Sequence, residues 1–92
     1  MTLLSLLTAN DVQQQLSEAV RRKRRQLKLS RNALAERSTV PASTIKKFET
    51  TSQISLRQFI LLWQCVDSLE NLADLMKEPD LIPKSIDEVL KR

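Results

Sequence analysis

The chain has 92 residues, a net charge of +4, no Gly, no His, no Tyr and a single Cys. Without Gly there is no phosphate-cradling P-loop, no dinucleotide-binding turn and no nucleophile elbow. Without His there is no Ser-His-Asp or Cys-His nucleophile pair and no His-ligated zinc, and one Cys closes no internal disulfide. The length suits one domain. With 41% hydrophobic and 28% charged residues, the composition is that of a globular chain. The lack of Gly favours helices over hairpins, whose tight turns draw on it.

The first element predicted is a helix capped by Asn10 or Asp11 and running to about Leu27 or Lys28. Val12, Leu16, Ala19, Val20 and Leu27 recur along it near helical spacing. Before it lies Leu3-Leu4-Ser5-Leu6-Leu7, too short to span a membrane and without the preceding positive charge of a secretory signal. The expected location is therefore cytoplasmic, or nuclear in a eukaryotic host. No membrane contact is expected.

Ser30 is a good N-cap for a second helix, Arg31 to Ser38. Thr39-Val40 is a short break. Pro41 suits the first turn of a third helix that runs to about Glu49 or Thr50. Two short helices across a tight turn read as a helix-turn-helix over residues 30–50, with Leu34, Ala35, Val40, Ile45 and Phe48 as its apolar anchors.

Ser55 caps a fourth helix, Leu56 to Asp67, and Leu69 to Lys77 reads as a fifth. Along the fourth, Leu56, Phe59, Ile60, Trp63 and Val66 form one core stripe, with Leu61, Leu62 and Cys65 outside it. A helix apolar nearly all round is buried on more than one side. The second side, Leu61, Leu62, Trp63, Cys65 and Leu69, is the expected dimer or partner interface. Trp63 reads either as a core filler or as an interface anchor. Cys65 reads as an inert thiol on an apolar helix. Ser85 to Arg92 could form a last short helix. The chain thus divides into an N-terminal extension (1–10), a helical domain (11–77) and a C-terminal tail (78–92).

Charge is distributed unevenly. Residues 1–20 carry two acids and no base, and residues 58–92 carry four bases and seven acids. Between them, residues 21–57 carry eleven Lys/Arg and two Glu. A basic middle between acidic ends suggests one positive face, of the kind that attracts a phosphate backbone in a salt-dependent way. The third helix is roughly 13 Å long at 1.5 Å per residue, and the B-DNA major groove is about 12 Å wide.

The segment Leu-Ser-Arg-Asn-Ala-Leu-Ala-Glu-Arg-Ser-Thr-Val-Pro-Ala-Ser-Thr-Ile-Lys-Lys-Phe-Glu, residues 29–49, resembles the helix-turn-helix domain of phage-repressor type (Cro-like, XRE-like). Downstream, Phe-Glu-Thr-Thr-Ser-Gln-Ile-Ser-Leu is similar to HipB-like regulators encoded beside HipA-like kinase toxins. The resemblance implies an all-α, five-helix, lambda-repressor-like DNA-binding domain that acts on double-stranded operator DNA as a homodimer. Such a domain is neither an enzyme nor a cofactor or metal binder, and a HipA-like kinase is a candidate partner. The resemblance places Ala42, Ser43, Lys46 and Lys47 toward base edges. Ser30, Arg31, Thr44, Thr51 and Ser52 fall at backbone-contact positions, and Arg22 joins them from the basic run. Arg24 and Glu49 match an inward-facing ion pair. A stand-alone XRE-type regulator is the alternative. The family commonly has Gly where this chain has Thr39 and often where it has Ser52. Either the turn at Thr39 avoids positive φ or Thr39 bears a conformational cost.

Overall fold

The computed structural model describes residues 6–78, and among these it contains five α-helices, one short 3-10 turn and no strand. The helices are α1 (Ala9–Gln26), α2 (Arg31–Ser38), α3 (Ala42–Thr51), α4 (Leu56–Val66) and α5 (Leu69–Ala73). The 3-10 turn is Asp74–Met76. The expected helix over Ser85 to Arg92 lies outside the described residues.

Local chemistry sets most boundaries. Ser30, Ser55 and Ser68 each accept a hydrogen bond from a backbone N–H three residues on, capping α2, α4 and α5. The start of α1 differs from the expectation. Its cap is Thr8, which receives the N–H of Asp11 while the Asp11 carboxylate receives the N–H of Thr8, both at 3.1 Å. This reciprocal box satisfies two end donors at once, which neither Asn10 nor Asp11 as cap would do. Pro41 stands one place earlier than expected, as the cap of α3 rather than inside its first turn. The fifth helix ends at Ala73 and tightens into the 3-10 turn instead of continuing to Lys77.

The core is built from Val20 of α1, Leu29, Leu34 of α2, Val40, Ile45 and Phe48 of α3, and Phe59, Leu62 and Val66 of α4. Helix α1 packs on α3 and α4, and α2 packs on the same two. Fully burying an aliphatic or aromatic side chain contributes about 1.5–3 kcal/mol, so this cluster is the main favourable term of the fold. Phe48 and Phe59 meet edge to face at 6.0 Å between centroids, and Trp63 lies 5.8 Å from Phe59.

The faces of α4 are rotated from the expected ones. Leu56, expected in the core, is 74% exposed, and Leu62, expected at an interface, is fully enclosed by its own chain. Leu62 therefore has no surface to offer a partner. Leu61, Trp63 and Cys65 are half-buried against the same core, and Leu69 is exposed. Trp63 is held by its indole N–H, which donates to the Ser68 carbonyl at 3.0 Å, and by Lys23, whose ammonium lies 5.6 Å from the ring centroid. Val12 on α1 and Leu27 at its C-terminal cap are exposed rather than buried. No helix of the described residues is long and apolar enough to cross a membrane.

Candidate functional site

Helix α3 is anchored by its inward face. Ile45 and Phe48, three residues apart, are buried, and Ser52 continues that side. Its other side carries Ser43, Lys46 and Lys47, all exposed. No ion pair or hydrogen bond occupies these three side chains among the described residues. Ala42 is half-buried at the helix start. No side chain caps this end, and the first N–H with an acceptor is that of Thr44, bonded to the Pro41 carbonyl at 3.0 Å. The N–H groups of Ala42 and Ser43 stay open. An uncapped N-terminus is electropositive and suits an anion or a hydrogen-bond acceptor.

The turn before α3 resolves the question raised by Thr39. Its φ is 65° and its ψ 9°, so a β-branched residue occupies the left-handed region. Its hydroxyl donates to the Ser38 carbonyl. Ser38 is 2% exposed. Its hydroxyl accepts the Val40 N–H at 3.1 Å, so the buried polar atom has a partner. The turn is thus closed by two side-chain hydroxyls instead of by Gly.

The far end of α3 is tied to α1. Glu49, whose side chain is 1% exposed, receives two bonds from Arg24, Nε to Oε2 at 2.7 Å and Nη2 to Oε1 at 3.1 Å. Arg24 Nη1 also donates to the Leu29 carbonyl at 2.8 Å. Arg31 Nε joins the same carboxylate at 3.0 Å. The Arg24–Glu49 pair expected from the sequence is present in this geometry, and Arg31 is a second partner that the spacing did not reveal. Burial pushes the Glu49 carboxyl up, but the bonds and charges of Arg24 and Arg31 outweigh it and leave the pKa below the usual glutamate value.

Several residues expected at backbone-contact positions are already engaged. Ser52 is 9% exposed, sits at φ 65° and shares a 2.9 Å hydrogen bond with the buried Ser17 hydroxyl. Its carbonyl receives Gln13 Nε2 at 3.4 Å. Ser52 is a structural tie between α3 and α1, so its side chain is not presented to a ligand. Ser30 accepts the Ala33 N–H at 3.0 Å, and Thr51 donates to the Lys47 carbonyl at 2.7 Å. Both remain exposed, and Thr44 is half-buried. Cys65 has its thiol pKa raised by burial, with the Arg37 charge acting the other way.

The basic run divides by orientation. Arg24 points inward, while Arg21, Arg22 and Arg25 are exposed and have no ion pair among the described residues. Arg21 and Arg25 face the start of α2 across a cleft that Ser30, Arg31 and Asn32 complete from the other side. Arg22, the expected contact residue, does not line this cleft and borders a neighbouring hollow with Glu18 and Gln26, which Arg21 and Arg25 also line. The basic run as a whole reads as anion-binding from the sequence, with Arg22 singled out; Asn32 is the cleft residue that sequence reasoning missed. The one signal that Arg21 and Arg25 face the cleft together is that they lie four apart and so share a helix face. Among family models, curated proteins and solved structures, none matches the chain.

Proposed function

We propose that the chain is a sequence-specific DNA-binding transcriptional repressor of the lambda-repressor-like fold, with α3 as its reading helix. The observation that carries this is the outward face of α3, where Ser43, Lys46 and Lys47 are exposed without partners beside an uncapped helix start. A lysine at such a position can bond guanine O6 and N7 in the major groove, and a serine can bond several bases. Ala42 would meet at most a thymine methyl. Ser30, Arg31, Thr44 and Thr51 lie around this face as candidates for the DNA backbone, which sets register and affinity rather than sequence.

A homodimer would place two such helices about 34 Å apart on a pseudo-palindromic operator. Exposed Leu56, Leu75 and Met76 line one apolar edge beside α4 and the 3-10 turn, which supports association with another chain. Together with the resemblance to HipB-like regulators, that edge supports an antitoxin role, in which the protein holds a HipA-like kinase and represses its own operon. The stand-alone regulator reading needs no toxin partner. Co-purification with the product of an adjacent kinase-like reading frame separates the two.

Binding to duplexes selected from a randomised pool tests the DNA reading. Lys47→Ala relaxes discrimination by about 1–3 kcal/mol at one base pair per half-site. An equal loss on every sequence overturns base reading by Lys47.

A further inference from the structure

One turn of α1, from Gln13 to Ser17, takes hold of Ser52 at the end of α3. Ser52 has three polar groups, and each has a partner. Its N–H donates to the Phe48 carbonyl at 2.8 Å, its carbonyl receives Gln13 Nε2 at 3.4 Å, and its hydroxyl meets that of Ser17 at 2.9 Å. The direction of the hydroxyl bond follows from the proton count. Ser17 Oγ donates to the Gln14 carbonyl at 2.9 Å, and a hydroxyl has one proton to give. Ser52 is therefore the donor to Ser17, and the bonds run one way, from Ser52 through Ser17 to the backbone of α1. Hydrogen bonds linked in this sense polarise and strengthen one another.

This relay is more than the fold needs. Ser17 is 2% exposed and Ser52 9%, and Ser52 sits at φ 65°. An apolar pair would avoid the desolvation of two hydroxyls, and Gly would avoid the left-handed strain. Strain of this kind persists only where the surroundings over-determine it, and it points to a geometric duty. The spacing shows what is fixed. Ser17 and Arg24 lie seven apart, so two turns of α1 present them on one face. They hold Ser52 and Glu49, three apart on α3. Ile45 and Phe48 seal the inward side of α3, but apolar contact is non-directional. Two directed ties, one turn apart, stop the helix from rotating about its axis. A rotation of roughly 10° carries a side-chain tip 5–6 Å from the axis through about 1 Å, which is enough to lose a base contact.

We infer that Ser17 is a positioning residue for base reading: with Ser52 it sets the rotation of α3 and so decides which base edges Lys47 reaches. The inference rests on the proposed DNA reading and adds to it a residue that, being buried, never touches the nucleic acid. Loss of the relay blurs the choice among sequences and leaves the attraction to DNA in general untouched.

The test uses the full chain, a duplex selected from a randomised pool, its single-base-pair substitutions and a mixed-sequence duplex. The variants are Ser17→Ala, Ser17→Ala/Ser52→Ala and Ser17→Thr, each checked by a circular-dichroism melt. Ser17→Ala orphans the Ser52 hydroxyl, whereas the double variant orphans neither group. The double variant is therefore decisive if the single one melts below the assay temperature. Both alanine variants are expected to lower the preference for the selected duplex over the substituted ones by about three- to tenfold. Affinity for the mixed-sequence duplex and the slope of log K against log salt stay at wild-type values, since the phosphate contacts are unchanged. Ser17→Thr keeps a hydroxyl and restores the preference. In a Lys47→Ala background Ser17→Ala brings little further loss, because it acts through Lys47. Wild-type preference in the folded alanine variants overturns the inference and leaves the DNA reading standing. An equal fall on every duplex, the mark of a merely loosened fold, does the same, as does full additivity with Lys47→Ala. A wild type that prefers no duplex over another overturns the DNA reading itself and the inference with it.

Discussion

The two ends of α3 are held in different ways. At its start, a left-handed Thr39 turns the chain, and its exposed side chain bonds only to the neighbouring Ser38 carbonyl. At its end, a left-handed Ser52 turns the chain again, but here the side chain is buried and tied to Ser17 of α1. One turn earlier, Glu49 binds Arg24 and Arg31. The helix is therefore fastened to the domain at its C-terminal end and displayed at its N-terminal end. A helix that reads another molecule needs this asymmetry, because the end that is aimed cannot also be covered.

Glu49→Ala breaks the fastened end and carries the largest expected effect. It leaves Arg24, with a side chain 10% exposed, without its carboxylate. Breaking a buried pair by removing one partner costs about 3–5 kcal/mol. Arg31 is partly solvated and recovers water, so the low end, about 3 kcal/mol, is expected from urea denaturation. A loss below about 1 kcal/mol would mean that the end of α3 is held by Ser52 and Phe48 alone.

The pH dependence sharpens the same contrast. The folded-state pKa of Glu49 is lowered, so its contribution is complete above the ordinary value of 4.5 and is lost as pH falls through the folded value. The stability difference between wild type and Glu49→Gln should therefore be constant near neutrality and shrink progressively below pH 4.5. Asp67 is lowered from 3.8 to about 2 by hydrogen bonds from Lys23, Ser68 and Asn71 and by the Lys23 charge. Its acid limb runs from 3.8 down through about 2, and Asp67→Asn identifies it. A difference that persists undiminished to about pH 3 would remove the ion pair from the account of α3.

What the sequence revealed about this arrangement follows the range of each interaction. The limits of α2 and its cap at Ser30 depend on neighbours in the chain and are readable there. The capping box at Thr8 was readable in the same way, since Thr and Asp stand three apart, but Asn10 and Asp11 competed as caps. The faces of α4 were not readable, because a helix apolar nearly all round gives periodicity nothing to distinguish. Leu62 and Leu56 exchanged places for that reason. The Ser17–Ser52 tie spans 35 residues, and no local rule joins two serines across that distance. The Arg24–Glu49 pair was anticipated through the family resemblance, and the share taken by Arg31 was not.

The smallest effect bears most directly on the contrast between the ends. Gly relieves the left-handed strain at either turn, which for a β-branched residue is on the order of 1 kcal/mol. At Thr39 little is lost in exchange, since the hydroxyl bond is local and the side chain is exposed. Thr39→Gly should raise stability by about 0.5–1 kcal/mol. At Ser52 the same relief is offset by the bond to Ser17, about 1 kcal/mol, and by the packing of a buried side chain. Ser52→Gly should fall within about 0.5 kcal/mol of wild type or below it. Equal gains at both positions, measured by thermal or urea melts, would make the Ser17 bond energetically idle. The ends of α3 would then differ in Glu49 alone.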